Sequence, residues 1–126
     1  NKVVKHHGVH FLEKKQKKIE IFSDNLNDVR SLLGPPSTKN HFDNDIWIYI
    51  EEKLLTTFFG KRELIVNNVL VLEIDQRGLL AKIDFYNIDD MKKVNFDKDK
   101  TTATYGKRNF VYDFLASMRQ KINDPL

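Results

Sequence analysis

The apolar positions change their spacing along the chain. Leu26, Val29, Leu32 and Leu33 recur at helical intervals. From Ile46 to Ile50 every residue is β-branched or aromatic, which favours extended backbone. Phe110, Val111, Phe114, Leu115, Met118 and Ile122 return to helical spacing near the end. The pattern predicts a helix with an extended exit over 9–21, a second helix over 26–33, and strands at about 45–53, 63–75 and 79–86. A short edge strand is expected at 101–105 and a closing helix at 109–124, with Asn109 as its N-cap and Pro125 as its stop. Asn67-Asn68 marks a bulge or a turn, and Asp75 to Gly78 a hairpin turn. The loop around Phe58-Phe59-Gly60 is either tucked under the sheet or an exposed sticky tip. Residues 1–8 read as a flexible lead-in and 87–100 as a polar segment.

Helices segregated from strands give an α+β class. The expected architecture is two N-terminal helices packed on a three- to four-stranded antiparallel sheet, a two-layer sandwich, plus a C-terminal helix. The C-terminal helix either completes that cover or crosses the other face.

Local chemistry is richest between Asn25 and Tyr49. Asn25 and Asp28 approximate a capping box at a helix start, and Gly34-Pro35-Pro36 stops that helix. A polar loop follows, with Phe42 isolated in it. Trp47 and Tyr49 then share one face of a strand. Both are candidates for core filling, and Trp47 beside the loop is also a candidate interface anchor. Loops on rigid scaffolds often carry binding residues, which singles out Phe42, Asp43, Asn44 and Asp45.

The segment Asn25 to Tyr49 resembles the SmpA/OmlA (BamE) family, small lipoprotein subunits of the outer-membrane β-barrel assembly machine of Gram-negative bacteria. Asn25 stands at the family's Thr position and Val29 at its Val. Leu33, Gly34 and Pro36 match its L-G-x-P, and Trp47 and Tyr49 its W-x-Y. Val69 to Ile74 followed by Gly78 resembles the later strand pair. The similarity spans residues 9–86, with 87–126 as a C-terminal extension. It implies a non-catalytic scaffold at the periplasmic face of the outer membrane, tethered by an N-terminal lipid absent from this chain. Its partners would be other subunits of the machine and anionic lipid such as phosphatidylglycerol. The partner-binding surface it implies is Phe42, Asp43, Asn44 and Asp45, with Trp47.

Composition narrows the alternatives. A chain of 126 residues with 40% hydrophobic and 31% charged residues suits one modest core. With no Cys, disulfides and thiolate metal sites are excluded. The chain begins at Asn1 without Met, as a mature or a trimmed form would, and any signal peptide or lipid-bearing Cys would lie upstream. The net charge of +3 and the cluster Lys14, Lys15, Lys17 and Lys18 read as a solvated helix face or as contact with an anionic surface. His6, His7 and His10 are grouped, yet no acidic or thiol partner stands at a zinc-like spacing, so neither metal nor cofactor is expected. Asp43, Asp45, Asp84, Asp89 and Asp90 lack a phosphate loop, a Ser elbow or an HExxH around them, and no catalytic residue is expected. The rival readings are a basic module for nucleic acid, which would need aromatics interleaved with cations on an open sheet, and a secreted enzyme inhibitor on the same fold.

Overall fold

A computed structural model describes residues 3–94 and 105–123. Within them the chain is α+β, with one antiparallel sheet of five strands and four helices. The order is β1 (Val3–Gly8), α1 (Leu12–Gln16), α2 (Leu26–Leu33), β2 (Thr38–His41), β3 (Asp45–Thr56), β4 (Arg62–Ile74), β5 (Leu80–Tyr86), α3 (Ile88–Lys93) and α4 (Tyr105–Asn123).

Strand β3 is the organising element. One edge pairs with β4 along the whole strand, from Asp45↔Ile74 to Thr56↔Arg62. The other edge is shared: β2 takes Asp45 to Ile48, and β1 takes Glu51 to Thr56. Between them the Ser37 and Val9 N–H groups donate to the Ile48 and Ile50 carbonyls, each at 2.8 Å. β4 pairs in turn with β5.

Because side chains alternate across a strand, β3 and β4 feed two cores. Trp47, Tyr49, Leu70, Leu72 and Ile74 pack with Leu12, Val29 and Leu33 of α1 and α2. Ile46, Ile48, Ile50, Val69 and Val71 pack with Met91 of α3 and Leu115 and Met118 of α4. Burial on both faces explains the unbroken apolar run Ile46–Ile50, since a half-exposed strand would alternate with polar residues.

The structure corrects several expectations. The helices do not come first, because Val3–Gly8, expected as a flexible lead-in, is a sheet strand. The sheet has five strands where three or four were expected, and helices cover both of its faces where a two-layer sandwich was expected. The helix expected over 9–21 is confined to Leu12–Gln16, its mostly charged sequence offering Leu12 alone to the core. β4 runs through Asn67 and Asn68, and the irregularity lies at Lys53/Leu54, opposite Val66 and Leu64. The segment at 87 contains α3, opened by a capping box between Asn87 and Asp90. Asn109 lies inside α4, which begins at Tyr105. The edge strand expected at 101–105 otherwise lies outside the described residues, as does Pro125.

The Asn25–Tyr49 unit has the expected local form. The Asn25 side chain accepts from the Asn27 and Asp28 N–H groups, and Asp28 returns a bond to the Asn25 N–H. Gly34 ends α2 at φ +78°, a conformation that costs a residue with a Cβ. Its carbonyl accepts a 2.8 Å bond from the Tyr49 hydroxyl, which ties the helix end to the centre of the sheet. Burial pushes the Tyr49 phenol up to about 12, outweighing the pull of Arg30.

Tyr49→Phe leaves the Gly34 carbonyl without that donor, and urea unfolding at pH 7 should show a loss of about 1–2 kcal/mol. The phenol ionises near 10 in the unfolded chain and about two units higher in the folded one, so the unfolded state sheds its proton first as pH rises. The advantage of the wild type over Tyr49→Phe is therefore full below pH 10 and should shrink between pH 10 and 12.

Candidate functional site

The loop between β2 and β3 carries the expected contact residues. Its turn is closed by the Phe42 N–H donating to the Asn44 carbonyl at 3.0 Å. Phe42 is half-buried, with its ring 6.0 Å from that of Phe110 on α4. Gly106 lies beside it, where a Cβ would make an ordinary 3.5 Å contact with the Phe42 ring. Asp43 is exposed and accepts from Lys107 Nζ at 3.0 Å. Lys107 also donates to Glu73 Oε1 at 2.7 Å, and Asn44 Nδ2 donates to the same oxygen at 3.0 Å. Desolvation works against the Lys107 charge, but the Glu73 and Asp43 carboxylates outweigh it and raise its pKa. Phe42, Asp43 and Asn44 thus form a clasp that holds the start of α4 to the sheet.

Trp47 lies on the opposite face. It is 5% exposed, with the Arg30 guanidinium 5.2 Å from its ring centre. The geometry therefore separates Phe42 from Trp47 and buries the aromatic surfaces on which a joint contact patch was expected to rest. Asp45 pairs with the His41 ring across the hairpin. Of the other motif positions, Val29, Leu33 and Tyr49 are core residues and Pro36 is half-buried.

The remaining candidate acids lie on β5 and α3. Asp84 is 3.5 Å from Lys82. Asp90 caps α3 and Asp89 sits in its first turn. A cleft of about 400 Å³ between β5 and α4 is lined by Glu73, Lys82, Asp84, Lys107, Arg108 and Tyr112, a mixed-charge surface.

Two features needed the structure to be settled. The first is Glu51, which is 5% exposed. Its Oε1 accepts from the Leu12 N–H at 3.0 Å, and its Oε2 accepts from the Phe11 N–H at 3.1 Å and lies 2.9 Å from His6 Nε2. A carboxylate from β3 thereby caps α1. Burial alone would push the Glu51 carboxyl up, but the Leu12 N–H, the His6 ring and the Phe11 N–H outweigh it and hold the carboxyl below its ordinary range. On the other face Lys121 of α4 approaches Glu52 at 3.4 Å, and Asn67 Nδ2 donates to the Met118 carbonyl at 3.0 Å.

The second feature is the β3–β4 hairpin tip. Phe58 and Phe59 are 73% and 92% exposed, edge to face at 5.4 Å. The Thr57 N–H donates to the Lys61 carbonyl and the Gly60 N–H to the Thr57 carbonyl, closing a tight turn that points both rings outward. No residue between Lys53 and Val66 is fully buried, so this end of the sheet extends beyond both cores. Val3 and Val4 are exposed on the neighbouring end of β1. The Phe58-Phe59 pair was the one sequence signal for this tip, and periodicity left its exposure open.

The class defined by these features is an α+β domain with a doubly covered antiparallel sheet and an exposed aromatic pair at a hairpin tip. No protein-family model matches the chain, and no curated protein matches it in sequence.

Phe42→Ala removes a half-buried ring, so it should lower the unfolding free energy by roughly 2 kcal/mol in urea denaturation. A loss below a few tenths of a kcal/mol would mean that Phe42 does not hold α4.

Proposed function

We propose that this chain is a non-catalytic binding subunit that works at the periplasmic face of the outer membrane and supports assembly of β-barrel proteins there. The observation that carries the reading is the exposed Phe58-Phe59 tip. Aromatic side chains that are large, preorganised and solvent-facing are the usual anchors of protein interfaces. The tip stands on two paired strands, which fix its direction.

The motif shared with SmpA/OmlA proteins supports the placement. Asn25, Val29, Leu33 and Gly34 build α2 and its stop, and Tyr49 locks that stop to β3. In this reading the motif is the frame and the tip is the contact. The docking surface thus moves from Phe42 and Trp47, which the frame consumes, to Phe58 and Phe59.

Charge favours a second contact at the same end. Lys5, Lys61 and Arg62 are exposed there, with Glu63 as the acid among them. An apolar tip ringed by cations suits anionic headgroups such as phosphatidylglycerol. Nucleic acid is disfavoured, because Trp47 and Tyr49 are covered by α2 and offer no face for stacked bases. Asp43, Asp45, Asp84 and Asp90 are engaged in a cap or in ion pairs, which favours binding over hydrolysis.

The test is biolayer interferometry against a purified outer-membrane β-barrel assembly complex lacking this subunit. Phe58→Ser with Phe59→Ser should weaken binding at least tenfold, while stability changes by no more than about 0.5 kcal/mol, as at exposed sites. Unchanged affinity would sink the assignment of the tip. Sedimentation with phosphatidylglycerol vesicles, compared with phosphatidylcholine vesicles, reads the lipid contact separately.

A further inference from the structure

We propose that His6, His10 and Glu51 form a binding site for a divalent transition-metal ion of the zinc class. Their ligand atoms, an imidazole nitrogen from each His and one carboxylate oxygen, all lie within 4.8 Å of one another. A zinc ion with bonds of about 2.0–2.1 Å holds tetrahedral ligands roughly 3.3 Å apart. His6 Nε2 and Glu51 Oε2 stand at 2.9 Å, so closure asks for a slight widening of that pair and a rotation of the exposed His10 ring.

The donor set selects the ion. Two imidazoles and one carboxylate suit zinc, nickel or copper, whereas calcium and magnesium seek shells of oxygen. The carboxylate is already aimed: the Leu12 and Phe11 N–H groups hold its two oxygens in place, as outer partners do for metal ligands. His6 and His10 stack at 3.6 Å with 6° between their planes, which keeps both rings near the carboxylate; since imidazole lone pairs lie in the ring plane, His10 must rotate out of the stack for both nitrogens to face one ion. His10 is exposed, leaving the remaining coordination position open to water.

The backbone is bent to make this cluster. Gly8 has φ +96°, and a Cβ there would lie 2.1 Å from the Ile50 carbonyl oxygen. Only glycine lets β1 turn this tightly across β3 and carry His10 over Glu51. Phe11, next in the chain, is held at φ 59°, a left-handed conformation that a bulky residue adopts at a cost. Coordination through His6 Nε2 moves the ring proton to Nδ1, and no electron is transferred. The sequence concealed the site because the acidic ligand lies 41 residues beyond His10 and arrives only through the β1–β3 pairing.

The test is isothermal titration of the whole untagged chain with zinc chloride at pH 7.5. One ion per chain with micromolar or tighter affinity is expected, and His10→Ala should weaken it at least tenfold. His7→Ala is the control, because His7 pairs with Glu52 and points to the other face of β1; it should leave affinity within twofold. Cobalt(II) should give visible absorption bands that His10→Ala abolishes. Circular dichroism confirms that both variants are folded. Absence of stoichiometric binding, or equal loss in the His7 and His10 variants, would overturn the site. Neither readout involves the hairpin tip, so failure here leaves the proposed docking surface standing.

Discussion

The structure depends on β3 being buried on both faces at once. Ile46, Ile48 and Ile50 face α3 and α4, while Trp47 and Tyr49 face α1 and α2. A strand with so little polar surface is stable only if helices shield it above and below, each large side chain contributing about 1.5–3 kcal/mol on burial. The C-terminal helix is therefore part of the fold's core. A single-residue slip between β3 and β4 would move Tyr49 away from Gly34 and the three isoleucines away from α4, so packing and register enforce each other.

Polar residues mark where this double core stops. Glu51 pairs with Asn68 and Glu52 with Asn67 across β3 and β4, and all four are buried. A buried polar group destabilises unless it is partnered. Glu51 is satisfied by the start of α1, and Asn67 donates to the backbone of α4. The same belt that ends the apolar packing thus positions a helix on each side. Beyond it no residue of the two strands is fully buried, and they run on to the exposed Phe58-Phe59 tip. The belt also gives the His6–His10–Glu51 cluster its fixed carboxylate, at a different place from the tip.

How much of this could be read from the chain varied with the range of the interaction. Asn25, Asp28 and Gly34 announce α2 and its ends because capping acts over three or four residues. Asp75 to Gly78 announces its turn for the same reason, and the Gly78 N–H does donate to the Asp75 carbonyl. Asn87 and Asp90 carried an equally local signal for α3, hidden by the charged residues around them. The first eight residues gave no such signal. Val3 to Gly8 is mostly exposed and becomes a strand only because β3 offers it an edge. Phe42 looked like a contact residue because a lone aromatic in a polar loop has no visible partner, and Trp47 because it stands at a strand end beside that loop. Their partners, Phe110 and Arg30, come from other elements.

By itself, then, the sequence determined the α+β class, the antiparallel pairing of β3, β4 and β5, and the caps that bound α2. Those depend on periodicity and short-range hydrogen bonds, which a linear chain displays. Only the tertiary structure decided that β1 joins the sheet, that α4 crosses its second face, that Phe58 and Phe59 stay in solvent, and that Glu51 meets both histidines. Each of these follows from competition for the edges and faces of one sheet, which is settled by contacts between residues far apart in the chain.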